Sequence, residues 1–403
     1  MEKGNEMSKS TTEAIRTGKR FFLLQLFVLS LSGVTLFAAS QDEFQRLSPS
    51  IQQLLDIHDV DAWEVKSIQS VFDFRNLSGA ASAVYETKWA TGLSLDARVV
   101  NGHPFMPGSA YRGQYGPRGG VCGLFPGRTE LWGTFLYNNV AGAGLTSGHF
   151  QYGYTNNLYG FTFGIDKTNG GERIGIMGTA GWSNVRSYGD IADTKNDTGF
   201  GGVYVYLNER FGNANLFVNT GWLGMNNDIA QFHDDSDVLS GRMDNGIWSI
   251  AATLSQLFCA GGLHITPSIG IEYGYYYQRR MDVGWDGGGT VFRHDASNAN
   301  LVTIPVGIRL CRDMRMYNGT LRPEIRLRYI ANVADVGING DTWYVESDIP
   351  ASMRSAITDR HAGDAGIGIG WTEGMVTICG NYGFLFSEHR HNHFVSLTGL
   401  WKF

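Results

Sequence analysis

Apolar and polar positions alternate along most of the chain from about residue 129 onward. In LHITPSIGIEYGYYYQ one face carries Leu263, Ile265, Pro267, Ile269, Ile271, Tyr273, Tyr275 and Tyr277. The other carries His264, Thr266, Ser268, Gly270, Glu272, Gly274, Tyr276 and Gln278. LRPEIRLRYIANV repeats the pattern, with Leu321, Ile325, Leu327 and Tyr329 set against Arg322, Glu324, Arg326 and Arg328. Successive side chains of a strand point to opposite faces, so a period of two predicts strands. Twelve are predicted, near 129–139, 152–166, 172–183, 197–209, 213–225, 246–258, 263–278, 300–311, 321–333, 363–371, 375–386 and 393–403.

The polar face decides between two architectures. A soluble sandwich would show water a densely charged face. Here that face is mostly Gly, Ser, Thr and Asn with a few charges, which suits a crowded polar lumen, while the apolar face suits lipid. Connection lengths alternate too: short after even strands, long after odd ones, with Ser387–Asn392 the one short exception. Short periplasmic turns and long extracellular loops belong to outer-membrane barrels, and an even strand count returns both ends to the periplasm. The predicted fold is all-β, a twelve-stranded antiparallel transmembrane β-barrel.

Residues 48–100 read differently. Trp63, Ile68, Val71, Phe72, Leu77, Ala80, Ala81 and Val84 follow helical spacing, and Asp61 with Glu64 gives a start signal. Ser78, Gly79, Ala80 and Ala81 lie in a run of small side chains that lets a helix fit close to a wall. The expectation is an N-terminal helix in the barrel lumen, with an ordinary periplasmic helix as the alternative. At the start, a polar stretch ending in Arg16, Lys19 and Arg20 precedes the apolar residues 21–37 and then Ala38-Ala39. That is the order of a secretory signal peptide. The expected organisation is a signal peptide over 1–39, a short segment with the pre-barrel helix over 40–105, and the barrel over 106–403.

Charge and composition narrow the classes. The net charge is −6, and it becomes −8 without residues 1–39. A nucleic-acid binder would show a basic footprint. Glycine is enriched at 54 residues, charged residues are only 17%, and after the leader no apolar run reaches the roughly 18 residues of a spanning helix. A helical membrane protein is thereby excluded.

Candidate chemistry is sparse. Export would expose Cys122, Cys259, Cys311 and Cys379 to an oxidising compartment. Cys259 precedes the seventh predicted strand and Cys311 ends the eighth, so a Cys259–Cys311 disulfide is expected at the periplasmic rim. His389, His391 and His393 share a face if extended, and His233 to Asp237 is acid-rich, but both read as solvated loops rather than metal sites. There is no Gly-x-Ser-x-Gly elbow, and Asp234 and His294 fall in predicted loops. No catalytic residue, cofactor or metal is expected. Inward Glu272, Arg309, Glu324, Arg326 and Arg328 should pair with one another or with Lys66, Arg75, Glu86 and Lys88, since buried charges need partners.

The chain ends with Val395, Leu397, Gly399, Trp401 and Phe403 on one face. This resembles the β-signal read by the outer-membrane assembly machinery. NLSGAASA (76–83), LWGTFLY (131–137), YGFTFGID (159–166), ITPSIGIEYGYYY (265–277), IPVGIRL (304–310) and TGLWKF (398–403) together resemble the autotransporter β-domain, the translocator of type V secretion. The resemblance spans about residues 65–403. It implies a monomeric barrel in the bacterial outer membrane, in contact with lipid and the assembly machinery, with a helix in its pore. Through or beside that helix a passenger would reach the surface. The chain departs from the family in two ways. Only some 25 residues lie between Ser40 and about Val65, too few for a β-helical passenger, and the pre-barrel helix has no Asn-Asn pair. The expected function is export or display of a short N-terminal segment. The rivals are an adhesin acting through loops 226–245, 279–299 and 334–362, and a diffusion pore.

Overall fold

The structure is a computed structural model that describes residues 74–101, 128–147, 150–169, 172–189, 193–233, 236–285, 289–345 and 350–403. The predicted signal peptide, Lys66, Asp61 and Cys122 lie outside the described residues. So do the side chains of Arg75, Ser78, Gly79, Ala80 and His233 to Asp237.

One helix, α1 (Phe74–Asn101), precedes the strands. In chain order these are β1 (Arg128–Ser147), β2 (Phe150–Asn169), β3 (Glu172–Gly189), β4 (Asp193–Phe211), β5 (Ala214–His233), β6 (Ser236–Gln256), β7 (Phe258–Ala260), β8 (Leu263–Gln278) and β9 (Met281–Trp285). There follow β10 (Thr290–His294), β11 (Ser297–Arg312), β12 (Met314–Met316), β13 (Gly319–Asn332), β14 (Gly337–Tyr344), β15 (Pro350–Ala356), β16 (His361–Glu373), β17 (Val376–Ser387) and β18 (Arg390–Lys402).

Twelve strands form a closed antiparallel barrel in the order β1, β2, β3, β4, β5, β6, β8, β11, β13, β16, β17, β18. The seam joins β1 to β18 from Glu130 opposite Lys402 to Gly142 opposite Arg390. Closure leaves no strand edge in lipid, the condition under which strands can cross a membrane. These twelve are the strands predicted from alternation.

Burial follows the same parity. Leu131, Phe161, Phe163, Ile165, Ile176, Val203, Val205, Leu254, Ile269, Ile271, Ile325, Leu327, Ile367, Ile369 and Leu397 are exposed, an inversion of a soluble protein. Aromatic rings bound this apolar belt. Tyr137, Tyr159, Trp182, Trp222, Trp248 and Tyr275 lie toward the long-hairpin end, while Trp401 and Phe403 stack at the short-turn end. Such girdles mark the two membrane interfaces.

Two features modify the predicted picture. The strands β1 to β6 run 18–21 residues, about twice what crosses the hydrocarbon. The described part of the expected loop 226–245 is therefore ladder, with Asn226 opposite Asp244, Asp228 opposite Arg242 and one register shift between Gln231 and Phe232. The other two loops carry strands of their own. The upper part of β6 pairs with β9, β9 with β10, β10 with β14 and β14 with β15, which builds a second storey above the membrane. His294, expected in a loop, is a buried residue of β10.

Glycine serves the packing. Gly160 faces Gly181 across β2 and β3. A Cβ on Gly181 would come within 2.1 Å of the Tyr159 carbonyl and 2.5 Å of the Phe200 ring. The pair leaves room for the tip of that ring against the wall.

Candidate functional site: the occupied lumen

The helix is 28 residues long, roughly 42 Å, yet not apolar enough to cross lipid. It lies inside the barrel instead. From Ala81 to Leu95 every side chain is buried except Trp89, half-buried, and Gly92. Ala81, Ala83, Val84, Tyr85, Ala90 and Leu93 share one apolar cluster with Leu136, Leu158, Leu223, Ile247, Tyr276 and Phe394 of the wall. Burial on all sides marks a helix enclosed by protein. Small residues keep it thin enough, and Thr87 and Ser94 return their hydroxyls to the carbonyls of Ala83 (2.7 Å) and Ala90 (3.2 Å), so neither is stranded.

Its direction follows from its contacts. The helix meets β15 of the upper storey, and Glu86 in its first half bonds Tyr154 and Asn156 toward the long-hairpin end of β2. Toward the other end, Leu95 packs with Trp132, Met177, Phe217 and Leu400, close to the short turns and barrel termini. The amino-terminal end therefore faces the long-hairpin side. Ile338 of β14 and the neighbouring Ile357 belong to the same cluster as α1. The loop 334–362 thus folds partly inward, over the helix.

Polar clamps hold the helix in register. Lys88 pairs with Glu272 of β8. Glu86 accepts hydrogen bonds from the Tyr154 hydroxyl (2.9 Å) and the Asn156 amide (2.7 Å). Trp89 meets Phe394 edge-on at 5.8 Å.

The other predicted lumen charges do face inward, but mostly toward the wall. Arg309 lies 3.1 Å from Glu324. Arg326 and Arg328 both reach Asp364 of β16, at 3.3 and 2.6 Å. Asp364 was not anticipated. Nor was a second cluster near the short turns, where buried Arg173 lies 3.2 Å from Glu130 and 3.8 Å from Asp166. There the Tyr206 hydroxyl donates to Asp166 (2.7 Å) and Trp132 donates to Tyr206 (3.1 Å). Inward parity from Met177 on β3, Thr162 on β2 and Trp132 on β1 would have flagged Arg173, Asp166 and Glu130.

The expected Cys259–Cys311 disulfide is absent: both cysteines are free thiols. Cys259 pairs in register with His264, and Cys311 pairs with His264 from the other side. One strand separates them, about 9.6 Å, beyond the reach of a disulfide. The hairpin reading overlooked β7, which continues β6 into the short turn and keeps Cys259 on the edge of β8 opposite to β11.

The histidine run is divided by the barrel wall. His391 and His393 face outward, Arg390 and Asn392 inward. His389 sits in the turn, where its Nδ1 lies 3.0 Å from Asp359 Oδ1. Asp359 also accepts from Ser387 and from the His389 backbone N–H at 3.3 Å. Despite desolvation, these donors and nearby Arg390 hold the Asp359 carboxyl below its usual range. The hydrogen bond to Asp359 raises His389 above its ordinary value against desolvation. Arg390 donates to the Ile357 carbonyl at 2.7 Å, so the last hairpin latches the inward loop. Burial lowers His294 to about 4. Among the described residues no three His, Cys, Asp or Glu are grouped to hold a metal.

A closed twelve-stranded barrel around an axial helix matches a known family. The autotransporter beta-domain model matches residues 131–382, more than half of the chain, and the chain belongs to that family. No curated protein matches it. Among solved structures, the translocator domain of autotransporter NalP from Neisseria meningitidis aligns over 80% of this chain and all of its own, at 12% identity and TM-score 0.52. The transport unit of autotransporter AIDA-I from Escherichia coli aligns over 79% and 98%, at 14% identity and TM-score 0.49. The chain is a transmembrane β-barrel of the outer membrane, in contact with its lipid.

Proposed function

We propose that this barrel carries its own N-terminal segment across the outer membrane and displays it at the surface, with α1 retained in the lumen as the trailing end. The observation that carries the reading is the direction of α1, whose amino-terminal end faces the long hairpins while its other end lies among the short turns. Membership of the autotransporter beta-domain family supports it. Assembly would rest on the outer-membrane barrel machinery reading Val395, Leu397, Gly399, Trp401 and Phe403, which face outward on β18 or follow it. No bond chemistry is part of the proposal. A lumen filled by buried side chains opposes a general diffusion pore. The second reading, adhesion, draws on the ordered storey above the membrane, and deleting loop 279–299 or 334–362 tests it by loss of adhesion. For display, an epitope inserted between residues 40 and 65 should be reached by antibody and protease on intact cells. Protection until the outer membrane is breached would sink display.

A further inference from the structure

Above the girdle of Trp222, Trp248 and Tyr275 the outer wall changes character. Arg242, Arg279, Arg280 and Arg293 project there, with side chains 71, 73, 49 and 40% exposed. The register fixes their height. Asp244, which Arg279 contacts, lies four residues above Trp248 on β6, roughly 13 Å along the strand and about 10 Å in height for a tilted strand. That is the depth of lipid headgroups, directly continuous with the apolar belt. At the corresponding level on β1 and β2, the outer wall shows the neutral Asn139 and Asn157 instead.

Each arginine is oriented by an aspartate at its base. Arg242 Nε donates to Asp228 (2.7 Å) and Arg279 Nη1 to Asp244 (3.4 Å). Arg280 donates through Nε and Nη2 to Asp282 (3.1–3.2 Å), and Arg293 Nε donates to the same carboxylate (3.1 Å). A guanidinium has five N–H donors, and these contacts use one or two of them. Exposed ion pairs add little to stability, so fold stability alone gives no reason to concentrate four arginines at one depth. Four guanidinium groups stand against three carboxylates. On the adjoining wall Arg186 and Lys195 face each other across β3 and β4, with Lys195 paired to Asp197.

We propose that this wall binds the phosphate groups of a phosphorylated glycolipid in the outer leaflet, with Arg242, Arg279, Arg280 and Arg293 as the recognition residues. The planar fork of arginine matches two phosphate oxygens, and the aspartates pre-orient it without consuming its outward donors. The acyl chains would lie along Ile250, Leu254 and Ile271 below. Phosphate in solution presents the same oxygens but lacks the chains, so the apolar belt favours the lipid.

The test uses the full-length protein in phosphatidylcholine nanodiscs with and without bisphosphorylated lipid A. Phenylglyoxal labelling of the wild type should mark all four arginines in phosphatidylcholine alone and be reduced at least five-fold by lipid A. Dephosphorylated lipid A should give no protection. By native mass spectrometry, the wild type should retain lipid A about ten-fold better than a heat-modifiable variant carrying R242Q, R279Q, R280Q and R293Q together. Equal labelling with and without lipid A overturns the proposal, as does equal retention by the variant. Protection by millimolar inorganic phosphate equal to that by lipid A would also overturn it, by making the wall a free-anion site.

Discussion

At the scale of single residues, the lumen is filled by side chains chosen for size. Gly92 is the exception on α1: exposed, helical, and with no atom within 4 Å of where a Cβ would stand. Glycine inside a helix costs about 1 kcal/mol relative to alanine. Gly92→Ala should therefore raise stability by about that amount, read as a higher temperature for the gel-mobility shift of unboiled samples. No gain would mean that the helix is already tethered so firmly that its backbone entropy is irrelevant. A second residue-scale consequence concerns pH. His389 has a raised pKa, so its contribution is complete below about pH 6.5 and is lost as pH rises through the folded value. Asp359 is depressed, so its contribution holds above about pH 4 and fades only as pH falls toward its folded value. The latch is strongest between these limits. NMR titration should place His389 above 6.5 in the wild type and return it to the ordinary value in Asp359→Asn. Inward parity was legible for Glu272, Arg309, Glu324, Arg326 and Arg328, because alternation is local. The pairs Lys88–Glu272 and Arg309–Glu324 were legible with them, whereas Asp364, which takes Arg326 and Arg328, was not, because it meets them only once β13 and β16 lie side by side across a long connection.

At the scale of elements, two pieces fill the mouth: α1 and the inward part of loop 334–362. They share one apolar cluster through Ile338 and Ile357. Deleting residues 40–100 should raise single-channel conductance in planar bilayers several-fold without preventing insertion. Removing 334–360 as well should raise it further, since that segment no longer has a helix beneath it. Equal conductance of the first deletion and the intact protein would place α1 outside the pore. The helix itself could be anticipated from its small residues. The strands β9, β10, β14 and β15 were not, because they pair with the upper part of β6 and with one another above the membrane. There, no lipid-facing alternation imposes an apolar signature.

At the scale of the whole molecule, closure is the dominant fact. Every ladder finds its neighbour only when β18 meets β1, with Leu397 opposite Phe135 and Trp401 opposite Leu131. Deleting residues 401–403 should therefore lower surface levels in growing cells more than it lowers the unfolding temperature of whatever barrel forms. Normal surface levels of the truncated protein would refute a role for the terminal aromatics in assembly. The twelve strands and their order were readable because a lipid-facing wall forces period two throughout. The disulfide was misread because β7, three residues long, carries no periodic signal.

The axial course of α1 also has a mechanical side. About 26 residues separate Asn101 from Arg128. Stretched out, they reach roughly 90 Å, about twice the helix length. The covalent link at the inner end would therefore not stop the helix from being drawn outward by a load on its amino-terminal side. Resistance falls to the cross-links that lie transverse to the axis, Lys88 with Glu272 and Glu86 with Tyr154 and Asn156, which such a pull would shear together. In this respect the barrel is a clamp as well as a conduit, and its grip on anything tethered outside is set by a few polar contacts halfway down the bore.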